Sequence, residues 1–168
     1  LHSEFLHMSI YKVAINIMLM NYEIKDPALA KELDMRGIGF QKDGRYYIDV
    51  LQAAYLTDIG KVRFDDALAE IGRNDVLASR YVVFRDLRKN MHVANYVEKD
   101  DVFLVYDKGM VPKRAESQYT VKLVDEKINL GEMISLRDEI RKIRKALVLA
   151  IIKKDGRIEY YKFQEIDM

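Results

Sequence analysis

Seven apolar residues stand in succession from Ala146 to Ile152, directly behind a segment in which Met133, Leu136, Ile140, Ile143 and Leu147 recur at three- and four-residue spacing. A run with no polar position is typical of a strand buried on both faces, the habit of strands in sheets covered by helices. The segment before it has the helical period, so a helix feeds straight into that strand. Lys154-Asp155-Gly156-Arg157 then offers a tight turn, and Ile158 to Phe163 a closing strand. This order points to a mixed sheet with helices packed on it.

Upstream, Leu77, Tyr81, Phe84 and Leu87 make one face of a longer helix, for which Asp75 is the expected cap. Short β signals follow at residues 92–97 and 102–106, then a loop with Pro112 and a strand over residues 119–124. The second half therefore reads α-β-β-β-α-β-β, which is α+β and not a repeating βαβ chain. The first half carries an alternating strand at residues 13–19 and a short helix behind Asp26-Pro27. It continues with an Asp43-Gly44 hairpin, a helix capped by Asp49 and ended by Gly60, and another opened by Asp65 or Asp66 and closed by Gly72. Gly72-Arg73-Asn74-Asp75 is the only convincing junction. The expected organisation is a vector remnant at residues 1–7, which precede Met8, a small N-terminal α/β domain at residues 8–74, and a C-terminal domain at residues 75–168 whose mixed sheet is flanked by two helices.

Composition narrows the chemistry. With 49% apolar residues and a formal charge of +1, the 168-residue chain is not disordered. No cysteine is present, which excludes a disulfide framework and a cysteine zinc site, and three histidines limit other metal chemistry. We therefore expect no metal and no cofactor. No stretch approaches the ~20 apolar residues of a membrane span, so a soluble, cytoplasmic protein is expected. There is no Gly-rich phosphate loop, no Gly-x-Ser-x-Gly elbow and no His-Glu-x-x-His.

Five segments remain, in order: Tyr81-Val82-Val83-Phe84-Arg85-Asp86-Leu87-Arg88, Phe103-Leu104-Val105-Tyr106, Glu116-Ser117-Gln118-Tyr119-Thr120-Val121, Arg144-Lys145-Ala146-Leu147-Val148-Leu149-Ala150 and Gly156-Arg157-Ile158-Glu159-Tyr160-Tyr161. Together they resemble the carboxyl-terminal nuclease domain of the archaeal tRNA-intron (splicing) endonucleases, which cut bulge-helix-bulge RNA. The resemblance covers roughly residues 76–163. It extends more weakly to Leu51-Gln52-Ala53-Ala54-Tyr55-Leu56 and Gly60-Lys61 in the first half.

The resemblance implies an active site of tyrosine, histidine and lysine. There a ribose 2′-hydroxyl attacks the adjacent phosphate and leaves a cyclic phosphate. Histidine suits the proton shuttle at neutral pH, and lysine the developing negative charge. The tyrosine maps to Tyr106 and the lysine to Lys145, but the histidine position holds Glu116. A glutamate carboxyl ordinarily titrates near ~4.3, so it would repel the phosphate and has no proton for the leaving oxygen. The resemblance thus implies a structural, non-catalytic subunit of a hetero-oligomeric enzyme, with Tyr106 and Lys145 vestigial. Its partners would be a catalytic paralogue bearing the histidine and, through the complex, precursor tRNA.

Read without the family, Tyr106 is a core or rim aromatic, Lys145 meets the negative end of a helix dipole, and His92 is an ordinary strand residue. Arg137, Arg141 and Arg144 form a basic stretch that is either a solvated face or an RNA contact, diluted by Asp138 and Glu139. Members of the family pair through the last strand, which makes Ile158, Tyr160, Tyr161 and Phe163 the expected partner interface. An uncovered edge of that composition would invite aggregation. The family's docking loop, acidic in many relatives, is here the basic Lys153-Lys154-Asp155-Gly156-Arg157. Two alternatives stay open: an active nuclease with Glu116 as a rewired base, and a protein-interaction module on the same fold.

Overall fold

The computed structural model describes residues 20–168; the alternating segment at residues 13–19 lies outside the described residues. The N-terminal part is a three-stranded antiparallel sheet, order β1-β3-β2, built from β1 (Asn21–Ile24), β2 (Phe40–Lys42) and β3 (Arg45–Asp49). Asp43 and Gly44 join β2 to β3 with φ of 52° and 76°, the paired left-handed residues of a type I′ turn.

Helix α1 (Pro27–Met35) starts where expected. The Asp26 side chain accepts from the Ala28 N–H, and Pro27 occupies the first turn, where a missing donor costs nothing. The chain leaves α1 through Gly37 at φ 66°. A Cβ there would lie 2.8 Å from Val93 Cγ1, so glycine permits both the turn and the close approach of the second half. Helix α2 (Val50–Asp58) carries a full capping box. Asp49 accepts from Gln52 N–H at 2.8 Å, while the Gln52 side chain accepts from Asp49 N–H at 3.0 Å.

Two helix boundaries differ from the sequence expectation. Helix α3 (Asp65–Arg73) is capped by neither aspartate: its N-cap is Phe64, whose side chain can accept no hydrogen bond, and Asp65 and Asp66 sit in the first turn facing the helix dipole. Gly72 lies inside α3 rather than closing it. The break comes at Asn74, extended at φ −125° and ψ 105°, whose side chain accepts from Leu77 N–H at 3.0 Å. Asn74, and not Asp75, therefore caps α4 (Asp75–Lys89). The expected face of α4 is buried: Leu77, Tyr81, Phe84 and Leu87 all point into the core.

The second sheet has the order β4-β5-β6-β7-β8, from β4 (Ala94–Val97), β5 (Val102–Val105), β6 (Tyr119–Leu123), β7 (Ala146–Ile152) and β8 (Ile158–Phe163). All neighbours are antiparallel except β6 and β7, which run parallel because α5 (Leu130–Lys142) carries the chain back between them. The expected α+β fold, a mixed sheet flanked by two helices, is the one observed. On the α5 face, Val102, Met133, Leu136, Ile140, Leu147 and Leu149 form a compact cluster. On the α4 face, Phe84, Phe103, Val121 and Ala150 belong to a larger core continuous with Leu33, Ile48 and Leu51 of the first half. The two halves therefore share one apolar interior. No helix among the described residues is long and apolar enough to cross a membrane.

Candidate functional site

Parallel pairing of β6 with β7 sets the starts of both strands side by side, with Tyr119 opposite Ala146 and the Ala146 N–H bonded to the Gln118 carbonyl at 3.0 Å. Residues just ahead of the two strands therefore meet. Lys145 is not at the end of a helix, as its place in the sequence suggested. Helix α5 stops at Lys142, and the chain reverses through Arg144 at φ 60°. The Lys145 ammonium instead donates to the carbonyl oxygen of Ser117 at 2.7 Å and to its hydroxyl at 2.6 Å. Both acceptors are neutral, so these bonds fix the ammonium without cancelling its charge.

Tyr106 arrives at the same end of the sheet. It follows β5, its N–H bonded to Val93 O at 3.0 Å, and the return strand is tied in by Gln118 N–H to Val105 O at 2.9 Å. Partial burial raises the Tyr106 phenol above its ordinary value; a side-chain hydrogen bond with Asn95 opposes the rise, and the charge of nearby Glu116 adds to it. Glu116 is exposed and directly precedes Ser117, which is buried. The fold thus gathers Tyr106, Glu116 and Lys145 around the start of β6.

A groove of about 490 Å³ opens beside Lys145 on the α5 face. Arg137, Arg141 and Arg144 line it from the helix side, Lys162 from β8, and Asp107 and Glu165 are its only carboxylates. Arg137 is compromised as a free cation, since it pairs with Asp138 at 2.6 Å and Glu165 at 3.5 Å, and Arg141 shares Glu165 at 3.5 Å. The three arginines named from the sequence are therefore brought together beside Lys145, with Lys162 as an unforeseen fifth cation. Polyanions are the natural occupants of such a groove.

The four residues named for a partner interface lie along β8, which ends the sheet and leaves one edge of main-chain groups unpaired. Ile158 and Tyr160 pack on the larger core and Phe163 on the smaller one. The Tyr160 hydroxyl donates to Asp86 at 2.7 Å. Tyr161 points the other way and is 49% exposed.

Two contacts at the site were not readable from sequence. His92 is not in a strand; it precedes β4, and its Nδ1 lies 2.7 Å from the Tyr106 carbonyl oxygen. A carbonyl only accepts, so Nδ1 carries the proton. Asn95 reaches Tyr106 because β4 and β5 pair in the register Asn95↔Leu104. Neither contact has a local sequence signal. Among the described residues no group of three or more histidines and carboxylates could hold a metal ion.

Residues 77–160, half of the chain, match the family model described as tRNA intron endonuclease, catalytic C-terminal domain. Similar proteins extend over both halves. A tRNA-splicing endonuclease of Pyrococcus horikoshii is 26% identical, covering 86% of this chain and 91% of that protein. One from Thermococcus kodakarensis is 29% identical over 77% of this chain and 83% of its own length. Another, from Methanothermobacter thermautotrophicus, is 25% identical over 82% and 88%.

Proposed function

The chain belongs to the tRNA intron endonuclease family, and we propose that within it this protein is a structural, non-catalytic subunit of a hetero-oligomeric tRNA-splicing endonuclease acting in the cytoplasm. The observation that carries the reading is Glu116. In the family's reaction the 2′-oxygen bonds to phosphorus, the P–O5′ bond breaks, and the 5′-oxygen must take up a proton as the 2′,3′-cyclic phosphate forms. The Lys145 ammonium, held on Ser117 at the end of the sheet that Tyr106 also reaches, supports this reading as a cation for the phosphate charge. The position that should exchange the proton offers a carboxylate, whose charge opposes approach of the phosphate.

A catalytic paralogue bearing the histidine would then supply the cut, and this chain the architecture and backbone contacts through the Arg137–Arg141–Arg144 groove. Residues 75–168 are the nuclease-like domain in this reading, in keeping with the family match that begins at residue 77. The unpaired edge of β8, with Tyr161 outward, is the surface proposed for pairing between subunits.

The test is cleavage of a bulge-helix-bulge RNA by the chain alone, and again after a histidine-bearing paralogue is added. Silence alone and cutting on mixing is the expected result. Cutting by the chain alone overturns the reading and makes Glu116 a working base. Silence in both favours an interaction module.

A further inference from the structure

On the α4 face of the sheet lies a hollow of about 330 Å³. Leu87 of α4 and Val105, Val121 and Val148 of three adjacent strands give it an apolar floor. Tyr119 and Tyr160 stand beside the floor, and both hydroxyls are engaged elsewhere: Tyr160 on Asp86, Tyr119 on Asp107. What these two residues have left to offer is ring surface.

The rim is polar and carries no carboxylate. His92 lines it with its Nδ1 proton committed to the Tyr106 carbonyl, which in the neutral ring leaves Nε2 a lone-pair acceptor with no partner among the described residues. Lys108, exposed at the same rim, has no ion-pair partner among the described residues. An apolar side chain from another protein would satisfy the floor but neither of these groups. A nucleobase satisfies all three: its planar face stacks on tyrosine rings, its edge N–H donates to Nε2, and its phosphate meets an ammonium. The hollow lies at the small end of the range of ligand sites, about 300–1,000 Å³. Tyr119 also borders the cationic groove, so a strand whose phosphates cross that groove is within reach of the hollow.

We propose that this hollow receives the base of an unpaired RNA nucleotide, with His92 Nε2 reading an N–H on its edge and Lys108 holding its phosphate. The inference rests on the proposed function only in taking RNA as the ligand; it requires neither cleavage nor a partner subunit.

The experiment titrates the full chain into an RNA hairpin whose single bulged nucleotide is 2-aminopurine, with a separate end label reporting binding by anisotropy. Binding is expected to change the 2-aminopurine signal. His92→Ala and Lys108→Ala are each expected to weaken that signal's apparent affinity about tenfold, while a fully paired hairpin binds His92→Ala as before. Because these residues lie at the rim, thermal unfolding should confirm that both variants fold. Adenosine monophosphate titrated into the unaltered chain gives an independent readout, with the His92 ring nitrogen resonances expected to shift. An unchanged 2-aminopurine signal at anisotropy saturation overturns the hollow as a base site while leaving RNA binding intact. His92 resonances that respond to a partner protein but not to nucleotide overturn it in favour of a protein contact. No anisotropy change with either hairpin, alone or with the paralogue present, overturns it together with the RNA reading.

Discussion

Among the described residues, the Lys145 ammonium is held by Ser117, through the carbonyl oxygen at 2.7 Å and the hydroxyl at 2.6 Å. This arrangement is a product of the parallel β6–β7 pair, which brings residues 28 positions apart into hydrogen-bond reach. It fixes the ammonium at the start of β6, where the exposed Glu116 directly precedes Ser117.

Restoring the histidine should therefore restore the reaction. Glu116→Ala is expected to leave the chain silent, and Glu116→His to create detectable RNA cleavage. In the Glu116→His background, Ser117→Ala should lower the single-turnover rate about tenfold while costing about 1 kcal/mol of stability. Cleavage assays and denaturant unfolding on the same preparations separate the two effects.

Asp101 is the centre of a buried ionic cluster. It accepts from Arg80 Nε at 2.9 Å and Nη2 at 2.6 Å, from Tyr96 at 2.5 Å and from Lys122 at 3.2 Å. Burial by itself would raise its carboxyl, but Arg80, Lys122 and Tyr96 outweigh that and hold it below the ordinary value. A depressed carboxylate contributes stability above its unfolded value, near ~3.9, and loses it as pH falls through the folded one. We expect Asp101→Ala to leave the buried Arg80 guanidinium without its carboxylate and to cost about 3–5 kcal/mol by urea unfolding. The acid-induced loss expected of the unaltered chain below about pH 4 should shrink in the variant.

Asp49 titrates in the opposite sense. Its carboxyl is enclosed at the cap of α2, and burial, with a small addition from Glu98, pushes it up to about 6 despite the N–H groups of Gln52 and Leu51. A raised carboxyl contributes stability that is full below the unfolded value and lost as pH rises through 6. Stability should thus fall by about 2–3 kcal/mol between pH 4 and 7 from this group. Asp49→Asn, which keeps a good N-cap, should flatten that slope in thermal melts across the same range.

RNA affinity of the assembled complex should fall steeply with salt. Arg144→Ala and Lys162→Ala are each expected to reduce the slope of log affinity against log salt by about one. Arg137→Ala should change it less, because its guanidinium already faces Asp138 and Glu165. Equal slopes for all three variants would remove the groove from the binding surface.

Much of the fold was legible because its signals are local. Asp26-Pro27, the Asp43-Gly44 turn and the Asp49 cap each act within four residues; the face of α4 and the Met133, Leu136 and Ile140 part of the α5 face follow from helical period, while Ile143 and Leu147 lie beyond the end of α5. Local signals failed where two neighbours compete for one role. Asn74 took the cap expected of Asp75 because its side chain reaches Leu77 N–H from an extended backbone, and Gly72, with no left-handed turn to make, stayed helical.

By itself, the sequence determined the element order from Asp26 onward, though not β1 at Asn21–Ile24, and the identities of Tyr106, Glu116 and Lys145 as residues in family-matching segments. Only the tertiary structure decided what those residues touch. Lys145 found Ser117 through a parallel crossover, Tyr106 gained Asn95 through the β4–β5 register, and His92 came to donate its Nδ1–H to a carbonyl 14 positions away. These are long-range pairings set by strand register and loop reversal, and no residue encodes them alone. Their energy resides in the closure of the whole sheet, so the site's chemistry becomes readable only once the sheet is built.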